Sequence, residues 1–251
     1  MFLEMTGAFA WVAVVALLAV PPSSSLQNGI SSSDRQIRAE VQRKLKGLEG
    51  KVTVEVTDGV VTLSGMVPSL WAKDESIRRA RSADHVQSLV SDLTISRAEN
   101  DATLARLVGE RVRGYDRYTV YDSIDGLIRN GVVTLSGAVT EPMKAEDILE
   151  RVAKVKGVQG IDNKIEVLPA SQPDDRLRVA IANAIYSDAA FENYSRVDPP
   201  IRVIVNNGHV TLVGAVRSQI EFIKAESAAR SVFGVLAFDN KVQVAGKPGA
   251  R

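Results

Sequence analysis

Cysteine is absent from this chain of 251 residues, and histidine occurs only twice, as His85 and His209. The absence of cysteine excludes disulfide bonds, thiolate metal sites, a cysteine nucleophile and a lipid-modified cysteine. A histidine-rich metal site or a Ser-His-Asp site would have to use one of these two side chains. We therefore expect a protein that is not an enzyme and that has no catalytic, metal or cofactor site.

An excess of charge of one sign is also missing. Lys and Arg total 31, Asp and Glu total 30, and the formal net charge is +1. Proteins that bind nucleic acid generally carry a clear basic excess, so this balance predicts no nucleic-acid partner. With 45% hydrophobic and 24% charged residues, the composition is that of a globular protein and not of a disordered or multi-span membrane protein.

Only one long hydrophobic run is present, at residues 8–20, and it ends at Pro21 and Pro22. A helix that spans a bilayer needs roughly 20 apolar residues, so this run is short for a span and typical of a signal peptide. We interpret residues 1–25 as a signal peptide that is cleaved near Ser25. An uncleaved N-terminal membrane anchor and a cytoplasmic protein are the alternatives.

A short motif occurs three times along the chain. The sequence GVVTLSG at residues 59–65 recurs unchanged at residues 131–137 and with two changes at residues 208–214. Asp or Asn precedes each first glycine, and apolar residues alternate with polar ones on both sides. Asp-Gly or Asn-Gly between such runs is the strongest short signal for a β-hairpin.

Helical patterns lie on both sides of each hairpin. In the first copy Ile37, Val41 and Leu45 form a stripe at helical spacing before the hairpin. We predict that an acidic or hydroxyl residue caps this helix in every copy, with an aspartate leading into each one. The three predicted caps are Asp34, Asp101 and Asp175.

The end of the second helix is marked at the same distance after every hairpin. Gly157 and Gly234 stand at this point in the second and third copies and are predicted to take the left-handed conformation that ends a helix. His85 replaces the glycine in the first copy, and histidine is among the residues enriched at positive φ. A short strand with alternating apolar residues closes each copy.

The unit is therefore α-β-β-α-β, and it occurs three times, at residues 34–97, 99–169 and 174–246. The predicted fold class is α+β, in which each unit has a three-stranded mixed sheet with two helices on one face. We assign a structural role to the glycines of the hairpins and helix ends. These are Gly59, Gly65, Gly131, Gly137, Gly157, Gly208, Gly214 and Gly234.

This pattern resembles the BON domain family (bacterial OsmY and nodulation). The resemblance is carried by the (Asp/Asn)-Gly-x-Val-Thr-Leu-x-Gly hairpins, the Gly-Val pair after the second helix, and the closing strands at residues 163–167 and 240–244. It implies a periplasmic or outer-membrane location, no enzyme activity, phospholipid binding and a part in envelope or osmotic stress responses. We expect a periplasmic protein that binds anionic phospholipid surfaces. The alternative is a module for protein–protein interaction or scaffolding in the periplasm, with envelope proteins as partners.

Clustered cations and a tryptophan make the first unit the predicted lipid-binding region. Near an anionic membrane each such cation contributes about 1 kcal/mol, and tryptophan favours membrane interfaces. The predicted lipid-binding residues are Trp71, Arg78, Arg79, Arg81, Arg35 and Arg38. The alternatives are that the basic helix face is only solvated and that Trp71 is a hydrophobic staple at the helix start.

Overall fold

The computed structural model describes residues 31–98, 100–195 and 198–245. The predicted signal peptide or anchor at residues 1–25 lies outside this part of the chain. Among the helices of the described residues, none has the length and apolar character needed to cross a bilayer.

The elements follow the predicted α-β-β-α-β order three times. Unit 1 contains α1 (Ser32–Leu45), β1 (Lys51–Thr57), β2 (Val60–Val67), α2 (Leu70–Arg81) and β3 (Ser88–Ile95). Unit 2 contains α3 (Asp101–Arg113), β4 (Ser123–Arg129), β5 (Val132–Val139), α4 (Pro142–Ala153) and β6 (Gly160–Val167). Unit 3 contains α5 (Gln172–Tyr186), a short 3-10 helix (Ala189–Phe191), β7 (Ile201–Asn206), β8 (His209–Val216), α6 (Gln219–Arg230) and β9 (Ala237–Val244).

Each unit has its own three-stranded sheet, with the second hairpin strand in the centre. The hairpin strands are antiparallel, and the third strand lies parallel to the central one. A parallel neighbour requires a crossover, and the second helix of each unit supplies it. The two helices of a unit contact each other on one face of the sheet and enclose a separate hydrophobic core. The predicted α+β fold with three mixed sheets is confirmed.

The hairpins turn through two residues, both in the left-handed conformation. In unit 1, φ is 50° at Asp58 and 75° at Gly59. A type I′ turn requires positive φ at both positions, which explains Asp-Gly or Asn-Gly at this point. The predicted hairpins are confirmed in units 2 and 3 as well, at Asn130, Gly131, Asn207 and Gly208.

The second glycine of each motif lies where no side chain fits. A Cβ atom on Gly65 would lie 2.0 Å from the backbone oxygen of Lys51 on the facing strand. The corresponding distances at Gly137 and Gly214 are 2.1 and 2.0 Å, again to backbone oxygens. The facing backbone cannot shift away without breaking the hydrogen bonds between the two strands. All three copies therefore need glycine at this position.

A carboxylate from the first helix of each unit binds the hairpin turn of the same unit. In unit 1, Asp34 accepts hydrogen bonds from the backbone N–H groups of Gly59 at 2.9 Å and Asp58 at 3.2 Å. Asp101 and Asp174 bind the two turn amides of their units in the same way, at 2.7–2.9 Å. These turn amides would otherwise need other partners, and bonds to an ionised acceptor are the stronger kind. We call this contact the turn clamp.

The first helix of each unit is capped by a small polar residue that precedes the aspartate. The caps are Ser31, Asn100 and Ser171. Each side-chain oxygen accepts a hydrogen bond from the backbone N–H three residues later. The three aspartates named as caps are wrong, because Asp34, Asp101 and Asp175 lie within the first turn and not at the cap position. A hydroxyl cap, the other residue type that the pattern allows, is present in units 1 and 3.

In unit 3 the predicted aspartate is also the wrong one of two neighbours. Asp174 provides the turn clamp and is 3% exposed. Asp175 instead forms an ion pair with Arg178 one turn later on α5. Two adjacent aspartates look alike in a sequence, and only the orientation of the helix distinguishes them.

The hairpin turn is also bonded to the third strand. In unit 1, Gln87 donates its backbone N–H to the carbonyl of Gly59 at 3.0 Å, and units 2 and 3 repeat this bond at 2.9 Å. The chain enters this strand through the predicted left-handed residues His85, Gly157 and Gly234, at φ of 63°, 95° and 103°. The conformation is confirmed, but these residues lie in the helix–strand turn, beyond the position directly after the helix cap where they were predicted.

Units 1 and 2 pack end to end. We call the end of a unit that carries the hairpin turn its tip, and the opposite end, where the second helix begins, its base. At the tip of unit 2, the Gly157 N–H donates to the Pro68 carbonyl of unit 1 at 3.0 Å. The side-chain amide of Gln159 donates to the Ser96 carbonyl at 3.1 Å. The tip of unit 2 therefore docks on the base of unit 1.

Units 2 and 3 meet through a different contact. A loop before β4 runs along the edge of β7, where Val203 donates its N–H to the Val120 carbonyl at 2.8 Å. Arg202 donates to the Thr119 carbonyl at 3.1 Å, and its guanidinium carbon lies 4.8 Å from the ring centre of Tyr118. The loop thereby covers a strand edge that would otherwise offer unpaired backbone groups.

Replacing Asp174 by Asn should destabilise unit 3. The two turn N–H groups bond to different oxygens of Asp174, and asparagine would place an NH2 donor against one of them. Loss of such a buried acceptor costs about 1–3 kcal/mol. Hydrogen exchange of the β8 amides, followed by mass spectrometry, measures this loss for unit 3 alone. The matched control is Glu192→Gln, which makes the same charge change at an exposed position of the same unit. Equal protection in the two variants would contradict the clamp.

Unit 1 should lose stability in acid through Asp34. The pKa of Asp34 lies below its ordinary value of 3.8, and the largest cause is the hydrogen bond that its carboxylate accepts from the Gly59 N–H. A group whose pKa is lowered by folding contributes stability above its unfolded pKa, and this contribution is lost as pH falls through the folded pKa.

The free energies of unfolding of the wild type and of Asp34→Asn should therefore differ most above the unfolded pKa of Asp34 and converge as pH falls through its lower folded pKa. Urea titrations of the full chain at a series of pH values measure this difference in unfolding free energy. Hydrogen exchange of the β2 amides is the readout, because it reports on unit 1 alone. Asp92→Asn, at an exposed position of β3, is the control and should leave the profile unchanged. A difference that stays constant down to low pH would show that the Asp34 charge is not involved.

Candidate functional site

The last turns of α1 and α2 meet and gather the cations of unit 1. Lys44 donates from Nζ to the carbonyl of Ser82 at 2.9 Å, and Arg79 donates from Nη1 to the carbonyl of Lys44 at 3.1 Å. The carbonyl end of a helix carries partial negative charge, so cations stabilise it. We call this region the basic end of unit 1. It comprises Arg43, Lys44, Lys46, Arg78, Arg79 and Arg81.

One buried carboxylate organises part of this basic end. Glu75 is only 8% exposed and accepts hydrogen bonds from Arg78 at 2.7 and 2.8 Å and from Arg79 at 2.6 Å. The bonds from Arg78 and then Arg79 hold the pKa of Glu75 below its ordinary range. These two predicted lipid-binding arginines therefore also hold α2 together, although the Arg78 side chain remains 73% exposed.

Three cations of the basic end are exposed to solvent. Arg43, Lys46 and Arg81 are exposed, and their side chains have no hydrogen-bond or ion-pair partner in the part of the chain that the structure describes. Only Arg81 was among the predicted lipid-binding residues. Arg43 and Lys46 belong to the same cluster along the sequence, but their proximity to α2 becomes visible only when both helix ends are placed.

The predicted residues Arg35 and Arg38 lie away from the basic end. Arg38 is half-buried and donates from Nε to the carbonyl of Val54 in β1 at 2.8 Å. Arg178 of unit 3 makes the same kind of bond to β7, so this arginine has a role within the fold. Arg35 is exposed in the first turn of α1, about 12 Å along the helix from Arg43.

Trp71 lies at the opposite end of α2 from the cations. It is the second residue of the helix, about 15 Å along the axis from Arg81. Its ring is half-buried against the core of unit 1, and Lys154 Nζ of unit 2 lies 5.1 Å from the ring centre. The structure thus places Trp71 at the contact between units 1 and 2 and does not bring it together with the basic end.

The two histidines lie in different units, and both are exposed. His209 is exposed on β8 and lies 3.2 Å from the carboxylate of Asp239. His85 is exposed in the turn before β3. Within the described residues, no group of three or more His, Cys, Asp or Glu side chains is placed to hold a metal ion.

Two solved structures to which this chain is similar are the following. The C-terminal domain of CdsD, a structural protein of the type III secretion system of Chlamydia trachomatis, is 15% identical, with a TM-score of 0.24, over 85% of this chain and 97% of that one. The PrgH periplasmic domain is 14% identical, with a TM-score of 0.19, over 81% of this chain and 98% of that one. TM-scores this low carry no argument about function.

No curated protein matches the chain. The family model for the BON domain, however, matches three segments, residues 33–97, 100–169 and 173–246. Each match spans one α-β-β-α-β unit, including its turn clamp and hairpin glycines. The resemblance seen in the repeated motifs is thereby confirmed, and the chain belongs to the BON domain family, with three tandem copies of the domain.

Proposed function

We propose that this chain is an exported, non-enzymatic envelope protein of the periplasm that binds anionic phospholipid surfaces through the basic end of unit 1. The observation that carries the proposal is the meeting of the last turns of α1 and α2, which places six cations together. Membership of the BON family supports it, because phospholipid binding and envelope stress responses are what that resemblance implies.

The basic end has an inner and an outer layer. Lys44 and Arg79 bond to helix-end carbonyls, and this satisfies backbone acceptors that would repel a lipid phosphate. Arg43, Lys46 and Arg81 are left exposed for the membrane. With about 1 kcal/mol for each cation near an anionic surface, binding is weak, reversible and sensitive to salt.

The corresponding ends of units 2 and 3 are less suited to an anionic surface. In unit 2, Arg111 and Arg113 are exposed in the last turn of α3, but the cations of α4 are paired, Arg151 with Asp116 at 3.3 Å and Lys154 with Glu150 at 2.6 Å. The last turn of α5 in unit 3 contains no basic residue, and Arg230 at the end of α6 pairs with Glu226 at 2.9 Å. Among the described residues, unit 1 is therefore the unit in which both helix ends contribute exposed cations without a partner, and this favours it.

The full chain should float with vesicles that contain phosphatidylglycerol and not with pure phosphatidylcholine vesicles, and added salt should release it. The combined variant Arg43→Glu, Lys46→Glu and Arg81→Glu should abolish binding, because it reverses the outer layer. Arg78 and Arg79 stay unchanged in this variant because Glu75 depends on them.

The matched control reverses three exposed cations elsewhere, Arg111, Arg129 and Lys241, and so makes the same change in net charge. It should bind anionic vesicles nearly as well as the wild type. Equal loss in both variants would mean that net charge alone matters. Full binding by the unit 1 variant would exclude the basic end as the membrane site.

A further inference from the structure

The tip of unit 3 exposes two large apolar side chains. Phe233 and Leu236, in the turn between α6 and β9, are 101% and 81% exposed. With Leu177 and Pro173 of α5 they line a shallow groove of about 490 Å³. Apolar residues this exposed, and this close together, are typical of an interaction surface.

The chain already shows what the same position does in unit 2. Gly157 and Gly234 match in the repeat, so Lys156 and Gln159 correspond to Phe233 and Leu236. In unit 2, Lys156 pairs with Glu49 at 3.0 Å, and Gln159 donates to backbone carbonyls at the base of unit 1. This turn of the fold therefore docks on the base of another unit.

The base of unit 3 is also apolar and exposed. Ile220 and Ile223 lie one turn apart on α6 and are 67% and 57% exposed. Ile220 corresponds to Trp71, the second residue of α2, which Lys154 of unit 2 covers in the internal contact. Where the tip of unit 2 uses Lys156 and Gln159 to dock on unit 1, unit 3 thus carries apolar side chains at the matching tip positions and on its base as well.

We propose that unit 3 joins copies of this chain head to tail, with the apolar tip of one copy on the apolar base of unit 3 in the next. The strand β8 runs from tip to base, so the two surfaces lie about 25 Å apart at opposite ends of the unit. Such an interface between different surfaces produces a ring if it closes and a filament if it does not.

A second copy accounts for more of these observations than a membrane does. A bilayer that received Phe233 and Leu236 would leave Ile220 and Ile223 in water at the opposite end. Contact with unit 2 does not cover the groove either: Asn206 at the end of β7 bonds to Glu166 at 3.1 Å, while Phe233 stays fully exposed. This assembly is independent of lipid binding by unit 1.

Sedimentation of the full chain, without lipid, tests the proposal through two variants. The tip variant carries Phe233→Ser and Leu236→Ser, and the base variant carries Ile220→Ser and Ile223→Ser. The wild type should form larger species as its concentration rises, whereas each variant alone should stay monomeric. Equal amounts of the two variants should form a dimer that grows no further, because each retains one intact surface.

The matched control replaces Met66 and Leu127, two apolar residues of units 1 and 2 that are 56% and 53% exposed, by Ser, and it should assemble like the wild type. A wild type that stays monomeric at every concentration overturns the proposal. A mixture of tip and base variants that stays monomeric also overturns it. If the wild type stays monomeric but binds pure phosphatidylcholine vesicles, and the tip variant does not bind them, the tip is a membrane contact and the proposal is overturned.

Discussion

Two hydrogen bonds from a hairpin turn to one carboxylate hold each unit of this protein together. The bonds run from Gly59 and Asp58 to Asp34 in unit 1 and have counterparts in the other two units. The same turn accepts a bond from the start of the third strand. A single two-residue turn therefore connects the first helix, the hairpin and the last strand. With α1 placed in this way, its last turn meets that of α2, and the basic end follows.

The clamp leaves the surfaces of the three units free to differ. Unit 1 gathers unpartnered cations at its helix ends, unit 2 uses polar groups at its tip to dock on unit 1, and unit 3 exposes Phe233 at the corresponding place. A domain of this size buries a modest core, so packing between neighbours also adds stability. One scaffold thus carries a proposed membrane surface and a proposed self-association surface on different units.

The features of this structure that depend only on residues close together in the sequence could be predicted from it. The type I′ turns and the left-handed His85 follow from local backbone preference, and the repeat placed the strands in order. The role of Asp34 could not be predicted, because its partners lie on another element. The contacts of Arg38 with a strand carbonyl and of Trp71 with a lysine of the next unit could not be predicted for the same reason.

Hydrogen exchange of the turn amides, resolved by NMR, tests the clamp most directly. In the native chain the N–H groups of Gly59, Gly131 and Gly208 donate to buried or half-buried carboxylates. The account predicts that they exchange as slowly as the amides of the central strands β2, β5 and β8, and only when the whole unit opens. Exchange at the rate of unprotected amides, with the central strands still protected, would contradict it.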